Sequence, residues 1–210
     1  MFVFSPLSKR LQHHEVLSIL LAAAIHDFDH PGYTNNFLVN TGHQLAILYN
    51  DRSVLENHHV ASAWKLMISN PKFEFLSGLD PLLLNKIRIA TIELVLSTDL
   101  AKHSQIISCW TALFEKEFDV EDQHSRLIMM QMIIKCSDIS NPAKEYKAHS
   151  RWSRLVIQEF YLQGDLERYV QSHSVGTGGQ RFDSCSSTTF FELIFMLVFT
   201  MTWKTQDYGA

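Results

Sequence analysis

Glycine, proline and cysteine are all scarce in this sequence of 210 residues. With 8 Gly and 5 Pro, it lacks the frequent turn signals of an all-β protein. The three cysteines lie far apart without a C-x-x-C pair, which excludes a disulfide framework and a cysteine-bound zinc site. Basic residues are not in excess either, because the formal net charge is -4. We therefore expect no binding to nucleic acid.

A long apolar run is lacking as well. The most apolar run, residues 190–203, contains Glu192 and is shorter than the ~20 residues that a membrane-spanning helix needs. The amino-terminal residues lack the long apolar region and the cleavage site of a signal peptide. We therefore expect a cytoplasmic protein, and the sequence does not indicate membrane association.

Apolar residues recur at helical spacing through most of the chain. Hydrophobic residues make up 46% and charged residues 19% of the sequence, which is typical of a globular protein. The pattern predicts helices over residues 14–30, from Ser53 onward, and over 82–103, 125–137 and 145–163. Ser53 and Glu56 match a capping box. We predict an all-α fold, a compact multi-helix domain. From Val170 onward Ser, Thr and Gly are frequent, which predicts a flexible loop.

Four ionisable side chains lie within HDFDH, residues 26–30, at the end of the first predicted helix. Such side chains are costly in apolar surroundings unless something compensates them. His26 and His30 are four positions apart and are expected on one helix face, and the two oxygens of Asp27 can bridge two cations. The run therefore predicts a site for divalent metal.

A further acid in a similar setting is Asp138, which ends another predicted buried helix. With His26 and Asp27 it completes a ligand set of histidine and aspartate, which suits zinc. A second metal site formed mainly by carboxylates and water suits Mg or Mn.

Two other polar runs can hold metal-bound water. They are ENHH, with Glu56 and His59, and STD, with Thr98. Each also has an ordinary interpretation, because Glu56 can be a simple helix cap and Thr98 a plain helix residue. Clusters with the composition of HDFDH also occur on surfaces without metal, and His-Asp motifs serve several unrelated phosphohydrolases. These residues alone leave the substrate open.

Four runs in this order resemble the catalytic domain of class I cyclic nucleotide phosphodiesterases. They are HDFDHPG, TNNFLVNTGHQLAILYNDRSVLENHH, STDLAKH and IKCSDISNPAK. The likeness extends from about Ile19 to Arg168, and LYNDRSVLENHH is most similar to the cGMP-inhibited, dual-specificity subfamily. The resemblance implies an all-α domain of the HD type, with two divalent metal ions, Zn and Mg (or Mn). It implies hydrolysis of cAMP and/or cGMP to the 5'-nucleotide.

The resemblance also implies roles for individual residues. It implies three metal ligands, of which the two acids also face the second metal: His26, Asp27 and Asp138. It implies catalytic residues around the metal-bound waters: His30, Glu56, His59 and Thr98. It implies a nucleotide pocket that includes Asn141, Trp152 and Val156.

Two departures from the family pattern bear on activity. The family has an upstream Tyr-His-Asn-like motif that supplies a fourth zinc ligand and the proton donor for the leaving 3'-oxygen, and no counterpart precedes His26 at the family's spacing. Beyond residue 170, the glutamine and phenylalanine that hold the purine have no counterpart in the family's context. We expect residues 1–169 to be a partial catalytic domain and residues 170–210 a divergent loop and apolar segment. We also expect the chain to be weakly active or inactive.

Two alternative functions stay open at this point. One is another His-Asp metal phosphohydrolase, against which SVLENHH and SDISNP argue. The other is a truncated isoform that acts as a non-catalytic interaction module, which the apolar residues 190–203 favour. Besides the cyclic nucleotide, a second copy of the chain is a candidate partner, in a homodimer.

Overall fold

The computed structural model describes residues 9–115 and 119–173. The chain divides into two compact units, Met1–Asp138 and Ile139–Ala210. Each unit is described by itself below. The predicted boundary near residue 170 stays a prediction, and the apolar run 190–203 lies outside the described residues.

The described residues form helices and contain no strand, which confirms the predicted all-α class. The helices of the first unit are α1 His13–Ile25, α2 Asn35–Asn40, α3 Gln44–Leu48, α4 Val54–Ser69, α5 Pro81–Leu96, α6 His103–Glu115 and α7 Gln123–Asp138. The second unit contributes α8 Tyr146–His173. Short 3-10 turns lie at Pro71–Phe73, Leu100–Lys102 and Asn141–Ala143. Among the described helices, none is both long and apolar enough to cross a bilayer.

The core of the first unit lies where α1 packs against α4, α5 and α7. Ala22 and Leu94 are completely buried there, beside Ile87 and Ile134. One ion pair is buried in the same unit, because Arg126 Nε of α7 donates to Glu15 Oε1 of α1 at 2.9 Å. A buried cation and anion must satisfy one another, so this pair fixes how α7 lies against α1. The site residues at the ends of both helices are thereby held in register.

The first helix ends earlier than its sequence pattern predicts. It stops at Ile25, and residues 26–29 form a turn. The prediction that His26 and His30 share a helix face is therefore wrong. One backbone angle and one contact explain the early end. Asp29 has a φ of 60°, which no α-helix accommodates, and the Phe28 carbonyl accepts from His59 Nδ1 at 2.7 Å.

The predicted capping box at the start of α4 is also absent. Ser53 has a φ of 43° and makes no side-chain cap. Its hydroxyl instead donates to Asp99 Oδ2 at 2.7 Å. The backbone N–H of Leu55, in the first turn of α4, donates to Asn35 Oδ1 at 2.8 Å. A side chain from α2 therefore caps α4. Glu56 is thereby available for another partner.

The long helix predicted over residues 82–103 is two helices. α5 ends at Leu96, and a 3-10 turn separates it from α6. Asp99 causes this break, because its Oδ1 accepts from the Ala101 amide at 2.8 Å and starts the new turn. Such bonds from a short acid to the backbone compete with the helical ladder. Thr98 therefore lies at a break and not within a helix.

The described part of the second unit, residues 139–173, consists of a 3-10 turn and α8. The helix begins at Tyr146, one residue after the start predicted for the span 145–163, and continues through Val170 to His173, three residues past the predicted start of the loop. Its large apolar side chains are mostly exposed, including Trp152, Leu155 and Phe160. The apolar face that the sequence predicts is present, but it is not buried.

Candidate metal centre

Two segments far apart in sequence bring one histidine and two carboxylates together at the ends of α1 and α7. His26 Nε2 lies 3.2 Å from Asp138 Oδ1 and 3.3 Å from Asp27 Oδ2. One possible ligand atom from each of the three residues lies within 4.8 Å of the others. We call these three residues the His26 cluster. It is the same set that the sequence pattern predicts as metal ligands.

The ring of His26 is oriented by its other nitrogen. Nδ1 lies 3.0 Å from the Ala23 carbonyl oxygen, to which it donates. In the neutral ring this bond places the lone pair on Nε2, the atom that faces both carboxylates. A metal-binding histidine typically has its second nitrogen fixed in this way.

The protein compensates the cluster's negative charge by protonating His26. Hydrogen bonds to Asp138 and then to Asp27 raise the pKa of His26 to about 10, against the opposing effect of burial. The same pairing with His26 lowers the pKa of Asp27. At neutral pH the ring is therefore an imidazolium between two carboxylates. A divalent cation would take over the role of that proton.

The dimensions of the His26 cluster fit a divalent metal. Ligands placed about 2.1 Å from zinc in a tetrahedron stand about 3.4 Å apart. The two distances from His26 Nε2 to the carboxylates, 3.2 and 3.3 Å, are close to this value. Exposed carboxylates beside a partly buried imidazole also match the donor types that zinc accepts. The chemistry and spacing of the cluster are therefore compatible with a metal site.

Two further histidines flank the cluster. His59 is buried, with Nε2 3.9 Å from Asp27 Oδ1. Burial lowers its pKa, so the ring is neutral with its proton on Nδ1, which donates to Phe28. His30 stacks on His59 with ring centroids 5.4 Å apart. His30 Nδ1 accepts from the Gly32 amide at 3.0 Å, which leaves its Nε2 proton to donate.

Glu56 is held near this region by Asn35, a residue that the sequence analysis did not select. Asn35 Nδ2 donates to both oxygens of Glu56, at 3.3 and 3.0 Å. Burial raises the pKa of Glu56 above its ordinary value. The sequence signal was weak, because an Asn after Thr34 is what an ordinary helix start contains.

Lys135 of α7 is a second residue that the sequence analysis missed. It is buried, and Nζ donates to the Ser97 carbonyl at 2.9 Å and lies 3.5 Å from the Asp99 carbonyl. Burial lowers its pKa, while the charges of Asp138, Asp99 and Glu56 oppose that shift. One ammonium group thus compensates acids from three segments. A lysine in an apolar helix gives no sequence signal for such a position.

Thr98 is not brought into contact with the His26 cluster by any described hydrogen bond. Its hydroxyl donates to the Val95 carbonyl at 2.8 Å. The neighbouring Asp99 is buried and bonded to Ser53. Thr98 therefore lies at the break between α5 and the following 3-10 turn, next to the hydrogen-bonded side chain of Asp99. Its role at a metal-bound water stays a prediction.

The three predicted pocket residues belong to the second unit. Asn141 Nδ2 donates to His149 Nδ1 at 3.1 Å and to Ser153 Oγ at 3.4 Å, both on α8. Trp152 is 57% exposed and Val156 is half-buried. The amide of Asn141 is thus already oriented by its own unit, and Trp152 offers a free aromatic surface.

This helical fold with a His-Asp cluster defines a known class of hydrolase domain. The profile of the 3'5'-cyclic nucleotide phosphodiesterase family matches residues 1–204, and the chain belongs to this family. Membership implies dependence on divalent metal ions. It also makes another His-Asp phosphohydrolase family an unfavoured alternative.

Individual relatives are similar over most of the chain. The Caenorhabditis elegans protein "Probable 3',5'-cyclic phosphodiesterase pde-3" is 44% identical over 164 residues, which are 78% of this chain and 24% of that protein. The mouse cGMP-inhibited 3',5'-cyclic phosphodiesterase 3A is 44% identical over 163 residues, 77% of this chain and 14% of that protein. These likenesses confirm the predicted similarity to the cGMP-inhibited subfamily.

A third relative represents another branch. The Drosophila melanogaster 3',5'-cyclic-AMP phosphodiesterase, isoform F, is 39% identical over 173 residues, 79% of this chain and 25% of that protein. The chain therefore spans a quarter or less of the length of these three relatives.

Proposed function

We propose that this chain carries the metal centre of a phosphodiesterase that hydrolyses the 3',5'-cyclic phosphodiester of cAMP and/or cGMP to the 5'-nucleotide. The observation that carries the proposal is the convergence of His26 with Asp27 and with Asp138, which is 112 positions away along the chain. Family membership supports the reaction class. The subfamily likeness supports action on both nucleotides.

In this proposal His26, Asp27 and Asp138 would hold zinc, and the two aspartates would also serve a magnesium or manganese ion. Together the two ions would lower the pKa of the attacking water and stabilise charge on the phosphoryl oxygens. Histidine and carboxylate donors suit zinc, whereas carboxylates with water suit magnesium. Because the pKa of His26 is raised in the metal-free protein, its Nε2 would have to lose a proton before it could serve as a ligand.

The flanking residues have matching roles in the proposed reaction. The oxygen of water forms a bond to phosphorus, the bond from phosphorus to the 3'-oxygen breaks, and the 3'-oxygen takes a proton from the solvent. A carboxylate oxygen of Glu56 accepts the proton of the attacking water, a role that its raised pKa favours. His59 stays neutral because of burial, and His30 presents Nε2–H as a donor. The hydroxyl of Thr98 is proposed to orient metal-bound water.

The pocket residues complete the proposal. Asn141 offers an oriented amide, and Trp152 and Val156 offer apolar surface against which a nucleoside base can pack. From the sequence we further propose that the protein is cytoplasmic and forms a homodimer. The exposed apolar side chains of α8 make self-association worth measuring.

The test is hydrolysis of cAMP and cGMP by the purified chain of 210 residues, with zinc and magnesium added and then chelated. The proposal expects at most weak turnover, which depends on metal and disappears in Asp138→Ala. Turnover that survives both chelation and this substitution would contradict it. If the chain binds metal but shows no turnover, the proposed metal centre stands and the proposed catalysis by this chain is wrong. In that case a role as a non-catalytic interaction module gains support.

A further inference from the structure

Two ionisable residues of the HDFDH and ENHH motifs have no role in the proposed reaction, and the structure pairs them. Asp29 is the second acid of HDFDH, and His58 is the first histidine of ENHH. His58 Nε2 lies 2.9 Å from Asp29 Oδ2. We infer that His58 and Asp29 are positioning residues that fix the turn carrying His26, Asp27 and His30 before any metal binds. The inference rests on the proposed function in that this turn supplies the proposed ligands.

The conformation of Asp29 requires support. Its φ of 60° lies in the left-handed region, which is sterically unfavourable for a residue with a Cβ. Aspartate tolerates this region better than most residues, but it does not favour it over the right-handed one. Because Asp29 lies between Asp27 and His30, a change at this residue would redirect the side chains on both sides. A contact that fixes the conformation of Asp29 therefore also fixes the turn of residues 26–29, which carries His26 and Asp27.

His58 is itself fixed by the first unit. Its side chain is only 15% exposed, whereas that of Asp29 is 66% exposed. Ser62, one turn further along α4, lies with Oγ 3.3 Å from His58 Nδ1. The edge of the Tyr49 ring also contacts the imidazole, with centroids 6.4 Å apart. Ser62 and Tyr49 fix the orientation of the His58 ring, so that its Nε2–H points toward Asp29 in the turn.

A second bond makes this pair different from an isolated surface ion pair. His59, the next residue of α4, donates to the carbonyl of Phe28, the residue before Asp29. Consecutive residues of a helix point about 100° apart, so the two histidines reach the turn from different directions. The two rings are tilted by 57° to each other. Exposed ion pairs contribute little on their own, but two bonds from a rigid helix to consecutive turn residues leave the turn little freedom.

The side-chain contact and the backbone conformation can be separated by substitution. Asp29→Gly removes the carboxylate while accepting a positive φ, and Asp29→Ala removes the carboxylate and also disfavours that φ. Asp29→Asn keeps an acceptor and tolerates the conformation. His58→Leu removes the donor from the other side. Asp51→Ala is the matched control, because Asp51 is also an aspartate with a φ of 60° and has no histidine bond among the described contacts.

The first measurement is hydrogen exchange of the peptide covering residues 24–34 in metal-free protein. We expect faster exchange in Asp29→Gly, Asp29→Ala and His58→Leu, and rates near those of the unsubstituted chain in Asp29→Asn and Asp51→Ala. If Asp29→Gly exchanges as slowly as the unsubstituted chain, backbone geometry alone holds the turn and the inference is overturned. Unchanged exchange in His58→Leu would overturn it as well.

The second measurement is zinc affinity, by competition with a chromophoric chelator. Loss of a residue that orients a metal ligand typically lowers affinity about 10- to 100-fold, and we expect this range for Asp29→Gly and His58→Leu but not for Asp51→Ala. Full affinity in both pair variants would overturn the inference. If the unsubstituted chain binds no zinc, the proposed function fails, whereas the exchange measurement still decides whether the pair fixes the turn.

Discussion

Trp64 and Trp152 both lie on helices, yet Trp64 of α4 is 6% exposed and Trp152 of α8 is 57% exposed. The lysines of the two units differ in the same way. Lys135 of α7 is buried and bonded to the Ser97 carbonyl, whereas Lys147 of α8 is exposed. In residues 9–115 and 119–138, a tryptophan and a lysine side chain are buried in the core and beside the polar site. In the described part of the second unit, the same residue types are exposed, and we expect them to contribute little to stability.

The largest expected effect is a loss of stability on removal of the buried tryptophan, compared with removal of the exposed one. Trp64→Ala removes a buried ring that stacks under Arg88, whose guanidinium carbon lies 5.2 Å from the ring centroid. We expect a loss of about 4 kcal/mol in the free energy of unfolding. Trp152→Ala should change that free energy by about 0.5 kcal/mol or less. Urea unfolding measures both, and a large loss in Trp152→Ala would contradict the comparison.

A second prediction compares one acid from each unit. Asp138→Ala removes a ligand of the His26 cluster, so zinc affinity should fall by about 100-fold or more, at least as much as after loss of an orienting partner. Asp165→Ala removes an exposed acid of α8 that pairs with Arg168 and should leave zinc affinity unchanged. Chelator competition measures both variants. Equal affinities would mean that zinc binds elsewhere.

A third prediction uses the two lysines. In Lys135→Met the Ser97 carbonyl loses its donor, and Asp138, Asp99 and Glu56 lose a nearby positive charge. We expect a loss of about 2 kcal/mol in the free energy of unfolding. Lys147→Met, the same substitution at an exposed position of α8, should cost less than about 0.5 kcal/mol. Equal stability of the two variants in urea would show that Lys135 is not needed to hold the site.

The last prediction concerns the dependence of stability on pH. The folded pKa of His26 is raised from 6.5 to about 10, so between these values the folded protein binds more protons than the unfolded chain. The contribution of His26 to stability is therefore full below pH 6.5 and is lost as pH rises toward 10. The Tm of metal-free protein should fall over this range more steeply than that of His26→Gln. Parallel slopes would contradict the protonated state of His26.

The sequence predicts the chemistry of the site better than its backbone. His26, Asp27 and Asp138 could be selected because ionisable groups in apolar helices need compensation, and they do converge. The end of α1 at Ile25 could not be predicted, because it depends on bonds from His58 and His59 to the turn. Such contacts between distant segments leave no local pattern.

The polar network behind the site shows the same limit. Ser53 and Glu56 have the spacing of a capping box, but their side chains bond instead to Asp99 and Asn35, which come from other segments. Lys135 looks like one polar residue in an apolar helix, and its function is visible only once the break after Leu96 is known. For α8, periodicity predicts the helix correctly, but it cannot say whether the apolar face is covered.

The most direct test of the metal centre is zinc X-ray absorption spectroscopy on the chain loaded with one equivalent of zinc. The account predicts imidazole nitrogen from His26 together with oxygen donors from Asp27 and Asp138, and no sulfur. In Asp138→Ala this signature should be lost or weakened. Zinc bound through cysteine sulfur, or a spectrum that does not change in Asp138→Ala, would contradict the account.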